Sequence, residues 1–143
     1  MMEQLKLSNQ ICHRYYVASN AITRAYRPLL DELGLTYPQY VVLMALWEED
    51  NVEVKQVKAK THIDGGALSL ILKKLSAKNL INIVPSELDK RIKHVQLSDK
   101  GWQLQQEASG IPEKLMCQVS NMSREEVLLL KTLTDKLVEN LIE

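Results

Sequence analysis

The sequence predicts a mostly helical fold carrying one small β-hairpin, and three observations point there. Apolar side chains recur at helical spacing over long stretches at both ends of the chain and in its middle. Two short segments rich in β-branched residues, "INIV" and "KHVQL", flank a polar, charged tip at residues 86–92, the pattern of a hairpin. With 143 residues, the chain reads as a single domain over 1–143, able to bury a core without disulfide staples.

The elements follow in order. Residues 5–27 place Ile11, Tyr15, Ala18, Ile22, Ala25 and Tyr26 on one helical stripe, and Cys12 and Tyr16 widen it. So wide a stripe suits a helix covered on two sides. "GLT" then breaks it. Thr36 with Gln39 forms a capping-box pattern, and Pro38 falls in a first turn where its missing N–H does no harm. A second helix runs through "QYVVLMALWEE", "DNVEV" reads as a short linker, and "VKQVKAK" as a two-turn helix.

"THID" turns the chain into "GGALSLILKKLSAK", a helix with Leu68, Ile71, Leu72 and Leu75 facing inward. Two helices joined by so short a turn, the second basic along its exposed side, fit a helix-turn-helix. The hairpin directly after it makes this a winged helix-turn-helix. From Ser98 the chain returns to helix through "DKGWQLQQEAS". Gly110 and Pro112 interrupt it, and helix resumes through "EKLMCQVSN" around Cys117. Ser123 and Glu126 cap a last helix through "VLLLKTLTDKLVENLIE". The end segments, 1–35 and 110–143, are more apolar than one small domain needs. They are therefore expected to be dimerisation helices around a winged DNA-binding region at 36–100. A homodimer would match a pseudo-palindromic site on double-stranded DNA.

Composition narrows the function class. The hydrophobic fraction of 45% and charged fraction of 25% are ordinary for a globular protein. Neither a signal peptide nor an apolar run near 18 residues is visible, so a cytoplasmic protein without membrane partners is expected. The formal net charge is zero, but residues 51–100 hold ten Lys or Arg against five Asp or Glu, a local +5. A basic middle between acidic ends can steer one face toward phosphate while the whole stays neutral. His13, His62 and His94 lack metal spacing with each other or with the cysteines. There is no CxxC, no phosphate-binding glycine loop and no Ser/His/Asp arrangement, so no metal, cofactor or enzymatic activity is expected.

The candidate DNA contacts are Gly66, Ser69, Lys73 and Lys74 on the outer face of the recognition helix, and Lys90, Arg91 and Lys93 on the wing. Arg91 is placed to enter a minor groove, whose negative potential attracts arginine. Asp89 would orient it rather than touch DNA. Without the hairpin, Lys73, Lys74 and Lys78 would read equally as an ordinary solvated helix face.

The two cysteines pose the harder question. On spacing alone Cys12 reads as a small hydrophobe on the inner face of the first helix, and Cys117 as another on the apolar face of a C-terminal one. Tyr15 and Tyr16 read as packing residues, although Tyr16, one turn from Cys12, also suits the lining of a small pocket.

The order of elements, the wing ending "LSDKG" and the "DKR" stretch (Asp89, Lys90, Arg91) resemble the MarR family of winged-helix regulators over nearly the whole chain. Within it, "CHRYYVASNAITRAYRPLLDELGLTYPQYVVLMALWEED" is similar to the OhrR branch, whose members sense organic hydroperoxides. The resemblance implies a repressor, released when Cys12 is oxidised by an organic hydroperoxide, whose target includes the promoter of a peroxide-detoxifying thiol peroxidase. It implies that Tyr26 and Tyr37 contact the Cys12 sulfur, and that Cys117 is a resolving cysteine supplied by the other subunit. The chain departs from the family pattern at Gly65, Ala67 and Leu70, where relatives usually carry Ser, Thr and Pro.

Geometry adds a condition. In one continuous helix Cys12 and Tyr26, 14 residues apart, lie roughly 21 Å apart along the axis. Any contact between them therefore joins two copies of the chain. A thiol reacts with peroxide as its thiolate, which donated hydroxyls favour, as would a helix N-terminus. Cys12, however, reads as a turn or more inside. Three rivals stay open at this point: a repressor released by a small aromatic ligand, with structural cysteines; a thiol peroxidase; and a broader oxidant sensor.

Overall fold

The computed structural model describes residues 2–142, which divide into a larger compact unit ending at Ser109 and a smaller one beginning at Gly110. The larger unit holds α1 (Ile11–Asp31), α2 (Tyr37–Glu48), β1 (Val52–Glu53), α3 (Val54–Thr61), α4 (Gly65–Ala77), β2 (Ile81–Pro85), β3 (Lys93–Leu97) and α5 (Asp99–Ala108). The smaller holds α6 (Ile111–Met116) and α7 (Arg124–Leu141). The architecture is the predicted one, mostly helical with a winged helix-turn-helix.

The core of the larger unit forms around α2. Gln39, Tyr40, Val42, Leu43, Ala45 and Leu46 are all buried, so this helix is covered on nearly every side. Leu30 and Leu35 close on it from the end of α1, Val57 from α3, and Leu68, Leu72 and Leu75 from α4. Burying a leucine as completely as Leu43 or Leu46 stabilises the fold by about 1.5–3 kcal/mol. The predicted capping box is present: Gln39 N–H donates to Thr36 Oγ1 at 3.3 Å, and Thr36 N–H to Gln39 Oε1 at 3.2 Å.

The sheet is antiparallel with order β1-β3-β2. Ile81 faces Leu97 and Ile83 faces Val95 in the hairpin, while Val52 faces Val95 from the other side. Thus "DNVEV", expected to be a linker, contains a strand. The Asp50 carboxylate supports it by accepting the Leu97 N–H at 2.8 Å. Two residues carry no readable alternation, and their partner strand lies more than forty residues on.

The first helix also differs from expectation at both ends. It begins at Ile11 rather than near residue 5, after two 3₁₀ turns at Glu3–Leu5 and Leu7–Asn9. There the Gln10 side chain donates to the carbonyls of Gln4 and Lys6, both at 2.8 Å, and Asn9 donates to that of Glu3 at 2.7 Å. Side-chain amides thus take acceptors that a helix would need. At the other end α1 runs past Pro28 to Asp31. Leu30, almost wholly buried, rewards the extra turn. Gly34 then closes it at φ 68°, with Leu35 N–H donating to Leu30 O at 3.1 Å in a Schellman arrangement.

α4 ends the same way on Asn79, at φ 62°, with Leu80 N–H on Leu75 O at 3.1 Å. α5 then packs so closely on the following residue that a Cβ at Gly101 would collide with the Leu80 carbonyl oxygen. The same glycine's carbonyl accepts the Trp47 indole N–H at 3.0 Å, tying α5 to α2.

Much apolar surface is left uncovered within the described residues. Along the start of the chain Leu5, Leu7, Ile11, Tyr16, Val17 and Ile22 are exposed. In the smaller unit α7 has no buried residue, although its Ser123–Glu126 capping box forms as predicted. No helix among the described residues is long and apolar enough to cross a membrane.

Candidate functional site

The basic face is built from α3, α4 and the hairpin. The Asp64 carboxylate caps α4, accepting the N–H groups of Gly66 at 2.9 Å and Ala67 at 3.3 Å. That fixes the helix so that Leu68, Leu72 and Leu75 turn inward and Gly66, Ser69, Lys73 and Lys74 stand exposed. Ile71, expected inward with them, is half-buried. Ser69 and Lys93 line a groove of about 390 Å³ with Lys55 and Lys58 over an apolar floor of Leu68 and Ile83. Lys55 also borders a smaller cavity of about 190 Å³ with Arg91 and Lys93. Lys55 and Lys58 of α3 were not singled out from the sequence. Their three-residue spacing in "VKQVKAK", which puts both on one face, was the available signal.

On the wing, Arg91 Nε and Nη2 donate to the two Asp89 oxygens at 3.1 and 3.2 Å, and the Arg91 N–H donates to Oδ1 at 3.0 Å. The guanidinium and the backbone N–H together hold the Asp89 carboxyl below its usual range. The arginine stays exposed at the tip beside Lys90, and Leu88 next to them is wholly exposed. Lys78, grouped from the sequence with Lys73 and Lys74 on the basic side of the recognition helix, instead turns back from the end of α4 onto the α1–α2 turn.

A second cluster lies where α1 meets α2. The Tyr26 and Tyr37 rings are 4.8 Å apart, and Tyr40 joins them at 5.7 and 6.4 Å. Tyr40 also meets Trp47 edge-on at 6.4 Å. Tyr40, only 2% exposed, was missed as part of this group, though its three-residue spacing from Tyr37 puts both on one helix face. Burial, and then the neighbouring Tyr37 and Tyr40, push the Tyr26 phenol up to about 12. Burial and Tyr37 raise Tyr40 as well. At neutral pH Tyr26 therefore keeps its proton and can donate. Tyr16 is not part of this cluster: it is 67% exposed and stacks on His13 at 6.2 Å.

Neither cysteine is a buried core residue. Cys12 is exposed and is the second residue of α1, so it sits in the first turn rather than deeper, among N–H groups that no helix carbonyl accepts. It was expected on an inner face; within one chain that face is open. α1 is continuous from Cys12 to Tyr26, so the condition for their separation along the axis holds. Cys117 is exposed too, and it lies just past α6 rather than within a helix. The chain turns there, with Val119 N–H on Met116 O at 3.0 Å, and the following Ser and Asn residues favour turns over helix. No group of three or more His, Cys, Asp or Glu among the described residues could hold a metal ion.

Residues 24–108 match the model of the transcriptional regulator SarA/Rot family. The chain belongs to that family. It is a winged-helix regulator of the MarR/SarA type, a DNA-binding transcriptional regulator and not an enzyme. It is 36% identical over 139 residues to the organic hydroperoxide resistance transcriptional regulator of Bacillus subtilis (strain 168), covering 97% of this chain and 94% of that one. Among solved structures it is similar to reduced AbfR bound to DNA, at 29% identity and a TM-score of 0.78, covering 99% of both chains. It is similar also to overoxidised AbfR bound to DNA, at 30% identity and a TM-score of 0.77, covering 99% of this chain and 98% of that one.

Proposed function

We propose that this regulator is a homodimeric, peroxide-sensing repressor, released from a pseudo-palindromic operator when an organic hydroperoxide oxidises Cys12. The observation that carries the reading is the placement of Cys12. It is exposed in the first turn of the same unbroken helix that holds Tyr26 against Tyr37, and only a second copy can bring those hydroxyls to its sulfur. The exposed apolar side chains around it, Ile11 and Tyr16 among them, and those of α7 supply the surface for that second copy. The name of the Bacillus subtilis relative supports hydroperoxide as the signal.

The chemistry runs in two balanced steps. The Cys12 thiolate attacks the terminal peroxide oxygen; an S–O bond forms, the O–O bond breaks, and the alcohol leaves after protonation. The partner subunit's Cys117 then attacks the sulfenic sulfur, forming the disulfide and releasing water. The bridge requires Cα atoms within about 7 Å, so closing it fixes one arrangement of the subunits. That arrangement would differ from the one in which both winged units meet their half-sites. In the DNA-bound state Gly66 and Ser69 would meet base edges, Lys73, Lys74, Lys90 and Lys93 phosphates, and Arg91, held by Asp89, the minor groove. A relative was solved on DNA in an overoxidised form, which favours bridge formation over oxidation as such for the releasing step.

The test uses an operator selected from a random-sequence DNA pool by the reduced protein. One equivalent of cumene hydroperoxide should weaken binding and give a dimer-sized band on a non-reducing gel, reversed by dithiothreitol. Cys12→Ser and Cys117→Ser should each abolish both effects. A Cys12→Ser protein that still releases DNA in response to the oxidant, or an unmodified Cys12 in the treated wild type, would overturn the reading in favour of a ligand-released repressor.

A further inference from the structure

The proposed sensor and the proposed DNA face do not use Lys78, yet it joins the segments that carry them. Lys78 caps the C-terminus of α4, directly after the turn that holds Lys74, and its ammonium reaches back across about forty residues of sequence. It donates to the Gly34 carbonyl in the α1–α2 turn and to Gln39 Oε1 at 2.8 Å. Gln39 is almost wholly buried, and the same oxygen accepts the Thr36 N–H of the capping box. Both of the ammonium's acceptors are therefore parts of the turn and cap that start α2. The first residue of that helix is Tyr37, whose ring lies on Tyr26.

The link is charged but has only neutral acceptors, and burial followed by the nearby Lys74 lowers the lysine's pKa. A partly desolvated ammonium without a carboxylate keeps both bonds only while both acceptors stay in place. The end of α4 is also anchored on the start of α5: the Lys78 carbonyl accepts from Lys100 Nζ at 3.1 Å, and the Asn79 carbonyl from Ser98 Oγ at 2.6 Å. The recognition helix is thus held between the start of α5 and the start of α2.

We propose that Lys78 is the positioning residue that couples the Tyr26–Tyr37 pair to the recognition helix, through the α1–α2 turn and the Gln39 cap. The inference rests on the peroxide-sensing reading. A rearrangement of Tyr37 displaces the first turn of α2. Gly34 and Gln39 move with it, and Lys78 carries the movement to the end of α4, one turn from Lys74. A residue with this role changes how far DNA affinity falls on oxidation, whereas a merely structural residue changes both states alike.

The experiment compares wild type, Lys78→Met, which keeps the stem and removes the donors, and Lys78→Arg, which restores them. Operator affinity is measured before and after one equivalent of cumene hydroperoxide, with the oxidation state of Cys12 read by mass spectrometry. In the wild type oxidation should lower affinity at least about fivefold. Lys78→Met should oxidise at Cys12 to the same extent yet lose most of that ratio, and Lys78→Arg should regain it. If Lys78→Met weakens binding equally in both states and leaves the ratio intact, the coupling role is overturned and the peroxide-sensing reading stands. If the wild type binds DNA equally well with Cys12 oxidised, the peroxide-sensing reading falls and takes this inference with it. Should Lys78→Met fail to fold, Lys78→Leu, which also removes the donors, is judged by the same ratio.

Discussion

α2 and α7 are both helices that begin with a capping box, and they end in opposite situations. In α2, six of 12 residues are buried; in α7, none of 18 is. The apolar surface of α2 is consumed by its own unit, from Leu30 of α1 to Leu75 of α4. That of α7, including Leu129, Leu130 and Leu133, stays open. Helices opened by the same kind of cap therefore serve two purposes here. One assembles the core of the winged unit, and the other leaves its apolar side chains exposed.

The largest expected effect lies on the α2 side. Leu43→Ala removes a fully buried side chain and should cost about 2–5 kcal/mol, read as a lower midpoint in urea unfolding. A smaller effect of another kind belongs to α7. Leu130→Asp should leave the midpoint of the winged unit unchanged while weakening self-association about tenfold or more, about 1.4 kcal/mol, in sedimentation experiments. A Leu130→Asp protein that associates like the wild type would show that α7 is not the covered surface.

The smallest effect concerns the tyrosine cluster at the edge of the α2 core. The Tyr26 phenol ionises near 10 in the unfolded chain and near 12 in the fold. Below pH 10 it is neutral in both states. Between pH 10 and 12 the unfolded chain releases the proton first, so stability falls as pH rises through that window. Tyr26→Phe should flatten this decline, and the late phenolate absorbance step should shrink with it. If the step remains undiminished, another tyrosine carries it.

The features legible in the sequence were those with local causes. Thr36–Gln39 and Ser123–Glu126 are readable because a capping box closes within four residues, and the hairpin because both strands alternate around one polar tip. The features that were not legible depend on distant partners. β1 exists only because β3 is there to pair with it, and Lys78 leaves the basic side of the recognition helix only because Gly34 and Gln39 wait some forty residues away. The first helix was drawn too long at its start because Asn9 and Gln10 look neutral in a pattern of apolar spacing, whereas their side chains capture backbone carbonyls. The same limit applies to the candidate site. Tyr26 and Tyr37 were found as a pair through family resemblance, while Tyr40 beside them was not singled out. The exposure of both cysteines ran against the apolar stripes on which they were placed.

The chain has two tryptophans and no phenylalanine. Trp102 is exposed, whereas Trp47 is bonded to Gly101 and stands edge-on to Tyr40, the inner member of the tyrosine cluster. Light absorbed by those three phenols has an indole acceptor a single ring away. The winged unit thus carries its own fluorescent gauge. A shift in how Tyr26 and Tyr37 stack would change the emission of Trp47, and the proposed sensing event could be timed without attaching a dye.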